Sequence, residues 1–302
     1  MKRMSDVQEK YNLLDNNQNG CRKLRSCMHN LIIMQMAMEL NPRLYMIMLD
    51  AHKAYPTAER AGCAYEAAKM RIGGKLFRLI ERIQDNKRCH VRCGNARSEE
   101  YPVERGLLEG HGTSGGMYLT LINAAVTAVR NDPRELGLTI RGVWVGVMMI
   151  SDDIVVMETD AQKAQAIVDI LAGVAEDYCF QYNYKTVVLI TGREQREPVF
   201  RLRNMKDGGK REQRDDIVPH STDMKGTDGY TVRDSEAITE VQTQKYAGYH
   251  VSANRTADKN VKAQCKKMNA RLGEAALYGS FKGGLSPALG AHVIVQTVHT
   301  VG

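Results

Sequence analysis

Val143-Trp144-Val145-Gly146-Val147-Met148-Met149-Ile150-Ser151-Asp152-Asp153-Ile154-Val155-Val156-Met157-Glu158 sets two aspartates side by side between two apolar runs. Each run is short and rich in β-branched residues, so each reads as a buried strand. Ser151-Asp152-Asp153 then falls at the turn of a hairpin, where short polar side chains tolerate the tight backbone and project from the sheet. Adjacent carboxylates repel one another, and burial adds to the cost. A divalent cation would relieve both effects, although an ordinary acidic turn would carry the same residues. A third carboxylate brought in from elsewhere decides between the two.

Leu44-Tyr45-Met46-Ile47-Met48-Leu49 offers such a carboxylate. This apolar run ends in Asp50 and reads as a central strand with an acid at its tip. Ala51 to Pro56 turns the chain, and helical stretches follow over 58–69 and 75–84, parted by Gly73-Gly74. Cys89 to Cys93 and Glu100 to Val103 form a hairpin around Gly94-Asn95. The glycine-rich stretch Arg105 to Gly116 leads into an apolar helix over 117–129, stopped by Asn131-Asp132-Pro133. Such a loop lets a backbone approach a ligand closely or is merely flexible, and it lacks the spaced Gly-Lys-Ser/Thr of a P-loop. An amphipathic helix over 161–178 presents Ile167, Ile170, Leu171 and Val174 on one face. A strand over 180–191 carries Lys185.

Upstream, residues 1–20 are polar, and Arg22, Lys23 and Arg25 either face phosphates or form a solvated basic turn. An apolar helix covers 28–40. Residues 193–237 are charged and glycine-containing, and read as a loop-rich insertion. A basic helix over 259–278 carries Lys262, Lys266, Lys267 and Arg271, and a last apolar helix covers 288–300.

The chain has 302 residues, 43% of them hydrophobic, enough for one large domain or two modest ones. Its formal net charge of +7 permits a polyanionic partner without requiring one. Seven scattered cysteines argue against a disulfide framework and for a reducing, intracellular setting. Cys89 and Cys93 lack a second ligand pair at zinc spacing. No run approaches 18 apolar residues, so no membrane span is expected, and no secretory signal opens the chain.

The order of these pieces resembles the reverse transcriptase domain, most closely that of non-long-terminal-repeat, LINE-like retrotransposons, over roughly residues 15–300. Gln18-Asn19-Gly20-Cys21-Arg22-Lys23-Leu24-Arg25-Ser26 is similar to the family's Gln-x-Gly-Phe-Arg-x-x-Arg-Ser, with Cys21 for Phe. Asp50-Ala51-His52-Lys53-Ala54-Tyr55 fits Asp-x-x-Lys-Ala-Phe/Tyr, and Arg105-Gly106-Leu107-Leu108-Glu109-Gly110 resembles Arg-Gly-x-x-Gln-Gly with Glu109 for Gln. Ser114 falls at the family's Ser-Pro, with Gly115 for Pro. Ile150-Ser151-Asp152-Asp153 matches Tyr-Ala-Asp-Asp. Asn183-Tyr184-Lys185-Thr186 resembles Asn-x-x-Lys-Thr, and Tyr246-Ala247-Gly248 resembles the Tyr-Leu-Gly primer grip.

The resemblance implies an α+β polymerase palm, an antiparallel sheet backed by helices, over 43–251. It also implies partial fingers over 1–42, the start of a helical thumb over 252–302, and further domains of a longer polyprotein. It implies RNA-directed DNA polymerase activity on an RNA template and a DNA primer with deoxynucleotides. Mg²⁺ or Mn²⁺ would be held by Asp50, Asp152 and Asp153. Tyr55 would lie under the sugar, unless it is only a core aromatic. Gly110 and Ser114, with Arg22 and Arg25, would meet template and incoming nucleotide. Lys185 would assist the pyrophosphate or sit on a solvated strand face. Tyr246, Ala247 and Gly248 would hold the primer, and the basic helix would meet duplex phosphates. The alternative is an inactive palm reused for nucleic-acid binding or assembly.

Overall fold

The structure, a computed structural model, describes residues 2–84, 88–103, 105–108, 111, 113–194, 196–203, 235–255, 262 and 266. The chain divides into two compact units, Met1–Gln242 and Thr243–Gly302.

The first unit opens with α1 (Lys2–Lys10) and α2 (Cys27–Leu40), followed by β1 (Leu44–Asp50). Three helices come next, α3 (Ala54–Thr57), α4 (Arg60–Lys69) and α5 (Gly74–Gln84). Four short strands then form two ribbons: β2 (Arg88–Cys89), β3 (Arg92–Cys93), β4 (Ala96–Arg97) and β5 (Tyr101–Pro102). After α6 (Ser114–Arg130) come β6 (Thr139–Ile140), β7 (Val143–Trp144), β8 (Val147–Ile150) and β9 (Asp153–Glu158). The unit closes with α7 (Ala161–Asp177), β10 (Val187–Thr191), β11 (Arg201–Arg203), β12 (Ser235–Ala237) and β13 (Thr239–Glu240). β14 (Thr243–Tyr246) and β15 (Tyr249–Ser252) form a hairpin in the second unit.

The central sheet has the order β13-β10-β1-β9-β8. β1 lies antiparallel between β10 and β9, and β8 pairs antiparallel with β9. Alternation sends Tyr45, Ile47 and Leu49 of β1 into one core with Ile154 and Val156 of β9 and with α6 and α7. Leu44, Met46 and Met48, on the opposite face, are also buried. Burial on both faces explains why β1 reads as a continuous apolar run. Helix α6 is buried on nearly every side, including Met117, Leu121, Ile122 and Val126. Asp160 caps α7 by accepting the Lys163 N–H at 2.8 Å.

Four expectations are corrected. The stretch 143–149 is two strands, because Gly146 lies against Gly137; a Cβ at Gly146 would stand 2.4 Å from the Gly137 Cα. The strand expected over 180–191 begins only at Val187, because residues 181–186 turn around Asp50. The polar N-terminus contains α1, whose Met4 and Gln8 are buried. Gln8 donates to Thr120 Oγ1 of α6 at 3.0 Å, which draws that polar segment into the core.

The ends of the expected insertion are ordered as well. β11 and β12 pair, and Phe200 and Leu202 are fully buried. Its middle, with Gly208-Gly209 and Gly226, lies outside the described residues, as does the 288–300 helix. Among the described residues no helix is long and apolar enough to cross a membrane. All described cysteines are free thiols.

Candidate active site

Asp50 ends β1 and Asp153 begins β9, and the two are direct cross-strand partners. Residues directly opposite in an antiparallel pair project from the same face, so the register alone brings two carboxylates together. Ile150 pairs with Asp153, leaving Ser151-Asp152 as a two-residue loop. Ser151 has φ 57°, at the first loop position of a primed hairpin turn, where glycine is the ordinary choice.

The electrostatics follow from this crowding. Burial raises the Asp153 carboxyl to about 6, with the charges of Asp152 and Asp50 adding to the effect. Burial also raises Asp50, and Asp152 contributes, while Lys185, His52 and a hydrogen bond from Asn183 oppose the rise. The backbone around Asp50 is pinned by the 181–186 turn: the Asn183 N–H donates to the Asp50 carbonyl at 2.7 Å, and the Asp50 N–H donates to Thr186 Oγ1 at 3.3 Å. Lys185 is exposed on this turn, not on a strand, and its charge reaches Asp50.

Tyr55, half-buried on α3, stacks on buried Tyr118 of α6, with ring centroids 4.8 Å apart and planes at 25°. Its hydroxyl stands 3.5 Å from Ser151 Oγ, beside the carboxylate turn. The Arg105-Gly106 stretch packs beneath α3: Gly106 has φ 86°, and a Cβ there would meet the Pro56 carbonyl oxygen at 2.4 Å. The Leu107 N–H donates to the Tyr55 carbonyl at 2.8 Å. Glycine is required here by both the positive φ and the close approach.

The turn is held from behind by the N-terminal segment. Gln18, fully buried, accepts the Ser151 N–H at 3.1 Å and the Gly20 N–H at 2.8 Å through Oε1. Asn17 Nδ2 donates to the Val147 carbonyl at 3.0 Å. Neither Gln18 nor Asn17 was expected to serve the site. The Gln18-x-Gly20 spacing was the available signal, since a Cβ at Gly20 would stand 2.3 Å from the Ser151 nitrogen.

Several expected site residues sit elsewhere or differently. Arg22 is an interior ion-pairing residue: its side chain is 3% exposed and pairs with Glu9 at 2.7 Å. It also donates to the carbonyls of Asp15 and Gln18, so a phosphate-facing role is corrected. Arg25 donates to Asn16 and Asn19. Ser114, the first residue of α6, is 1% exposed, which removes it from a surface that a template could reach. Gly110 and Glu109 lie outside the described residues.

Tyr246 ends β14 and pairs with Tyr249, and Ala247-Gly248 form the two-residue turn of the β14–β15 hairpin, which lies in the second unit. Ala247 and Gly248 have φ 45° and 91°. Tyr246 is buried. Lys262 and Lys266 are helical and exposed, whereas Lys267 and Arg271 lie outside the described residues.

Asp50, Asp152 and Asp153 offer oxygen donors only, the set that suits Mg²⁺ or Mn²⁺. Burial first, and neighbouring carboxylate charge second, raises Asp50 and Asp153, and a cation bound between them would oppose both effects. Among the described residues, however, no three His, Cys, Asp or Glu side chains are grouped so that they could hold a metal ion as placed. The three carboxylates are each only partly buried, which leaves their rotamers room to move.

No protein-family model matches the sequence, and no curated protein matches it. Among solved structures, apo telomerase from Candida tropicalis aligns with 99% of this chain and 48% of its own, at 10% identity and a TM-score of 0.51. The same telomerase truncated from its C-terminal domain aligns with 63% of this chain and 40% of its own, at 16% identity and a TM-score of 0.46. Candida albicans telomerase in complex with a TWJ fragment of telomeric RNA covers 66% of this chain and 34% of its own, at 13% identity and 0.45. The chain thus spans less than half the length of these telomerases. The likeness over the full chain is one of fold: mixed α+β and polymerase-like.

Proposed function

We propose that this chain is a reverse-transcriptase domain of a LINE-like retroelement, extending a DNA primer along an RNA template. The observation that carries this reading is the register that sets Asp50 opposite Asp153, with Asp152 in the adjoining turn. Asp50, Asp152 and Asp153 would hold divalent cations, which when bound supply positive charge at the attacking and leaving oxygens. The chain's own residues do the positioning. Gln18 and Asn17 fix the height of the carboxylate turn. Tyr55, braced on Tyr118, walls the sugar side and excludes a 2′ hydroxyl. Lys185, exposed on its turn, sets a positive charge near Asp50, where a departing pyrophosphate would be met.

A second reading is a palm-fold module that binds nucleic acid without extending it. It is favoured by the lack of a three-residue ligand grouping among the described residues and by buried Ser114. Primer extension on an RNA template with Mg²⁺ or Mn²⁺ separates the two. Extension abolished by Asp152→Asn with Asp153→Asn supports the first reading. Primer–template binding without extension supports the second, and extension that survives the double substitution removes the site assignment.

A further inference from the structure

Helix α5 is amphipathic in an unusual sense. Its Phe77 packs against the core, while Lys75, Arg78, Leu79 and Arg82 are exposed along another face and line a groove of about 380 Å³. Lys75, Arg78 and Arg82 follow i, i+3, i+7 spacing, so the three cations form one stripe. None of the three is paired with an acid among the described residues. Several arginines of other elements do hold carboxylates, among them Arg22, Arg43, Arg130, Arg134 and Arg193.

A second feature lies a few residues on. In the β3–β4 ribbon, Arg92 is the direct cross-strand partner of Arg97, and both are exposed. Like charges directly opposite destabilise a ribbon. From Lys75 to Arg97 the sequence carries seven basic and two acidic residues, so most of the chain's excess charge of +7 resides there. Two elements that follow closely in the sequence thus each carry exposed cations, none of them paired with an acid among the described residues.

We infer that the solvent face of α5 is a binding surface for the phosphate backbone of a nucleic-acid strand, built from residues other than those of the carboxylate site. The stripe runs about 10 Å along the helix axis, room for about three successive phosphates of one strand. Point charges and guanidinium forks at this spacing recognise phosphate and not base edges, so binding is independent of sequence. The surface goes beyond the proposed reaction and does not depend on it.

The test uses the full chain, a labelled single-stranded RNA and fluorescence anisotropy over a range of salt, with EDTA present to silence any metal-dependent contact. The triple substitution Lys75→Gln, Arg78→Gln, Arg82→Gln is expected to weaken binding. It should also lower the slope of log affinity against log salt by about 2, since each lost contact to a single strand contributes about 0.7. Arg78→Lys with Arg82→Lys keeps the charges and should keep the slope. RNAs of unrelated sequence should bind alike. An unchanged slope in the triple variant overturns the proposal, as does a charge-conserving variant that falls with it. Capture by phosphatidylserine vesicles but not by RNA overturns it in favour of a membrane surface. The polymerase reading is tested apart from this one, by primer extension with the wild-type chain and Mg²⁺, so failure of the surface and failure of that reading are separately visible.

Discussion

The side-chain oxygen of Gln18 accepts the backbone N–H of Ser151 at 3.1 Å, tying residues 133 positions apart. A serine at positive φ gives up roughly 1 kcal/mol relative to ordinary backbone, and this hydrogen bond offsets that cost where the carboxylates are presented. Gln18→Leu strands the Ser151 N–H and is expected to lower stability by about 1–3 kcal/mol. If the turn height governs chemistry, primer-extension kcat falls by about tenfold or more, while template affinity holds. Urea melts and steady-state kinetics check both halves. An unaltered kcat in a destabilised variant would reduce Gln18 to a purely structural residue.

Asp153 makes stability pH-dependent in an unusual direction. Its carboxyl stands at about 6 in the fold against 3.8 ordinarily, so the folded chain holds the proton more tightly than the unfolded chain. The resulting stabilisation is in place below 3.8 and is lost as pH rises through about 6. Thermal melts in EDTA should therefore lose Tm across that window, and Asp153→Asn should flatten the loss. Mg²⁺ should restore Tm near pH ~8 and do little near pH ~4, where Asp153 holds its proton. A metal-insensitive melt at the higher pH counts against cation binding at this turn.

Glu9 carries the opposite sign. Hydrogen bonding to Arg22 holds its carboxyl below the ordinary 4.5, so its contribution is present above that value and is lost as pH falls through the lowered one. Glu9→Gln leaves a guanidinium in the interior with a weaker partner and should cost on the order of 2–3 kcal/mol. Salt dependence of RNA binding should not move, because Arg22 faces inward. A shifted salt slope would return Arg22 to the nucleic-acid surface.

Tyr55 is braced by Tyr118 and not by its hydroxyl alone, so the ring is the obstacle it presents. Tyr55→Val should admit ribonucleotides, shrinking the deoxy-over-ribo ratio of kcat/KM on the order of tenfold or more. Tyr55→Phe should leave the ratio near the wild type. Equal ratios in all three proteins would make Tyr55 a core aromatic.

The readable parts of the sequence were those with local causes. Leu44–Asp50 and Asp153–Glu158 announce themselves because both faces of those strands are buried, and their tips follow from where the apolar runs stop. What stayed hidden depends on distant partners. Gln18 and Arg22 look like surface polar residues until Ser151 and Glu9 are placed beside them. Gly146 breaks its strand only because Gly137 lies against it. The turn over 181–186 is shaped by Asp50, well over a hundred residues upstream, and no periodicity within the turn records that.

Residues 17–19 also lie along the outer edge of β8: Met149 donates to Asn17 at 2.8 Å and accepts from Asn19 at 2.9 Å. A version of the chain shortened to begin after Gly20 would bare that rim, leaving unsatisfied backbone donors and acceptors beside apolar side chains. Such a rim invites stacking of one molecule on the next. Low solubility and self-association, more than a missing function, would then be what such a fragment shows first.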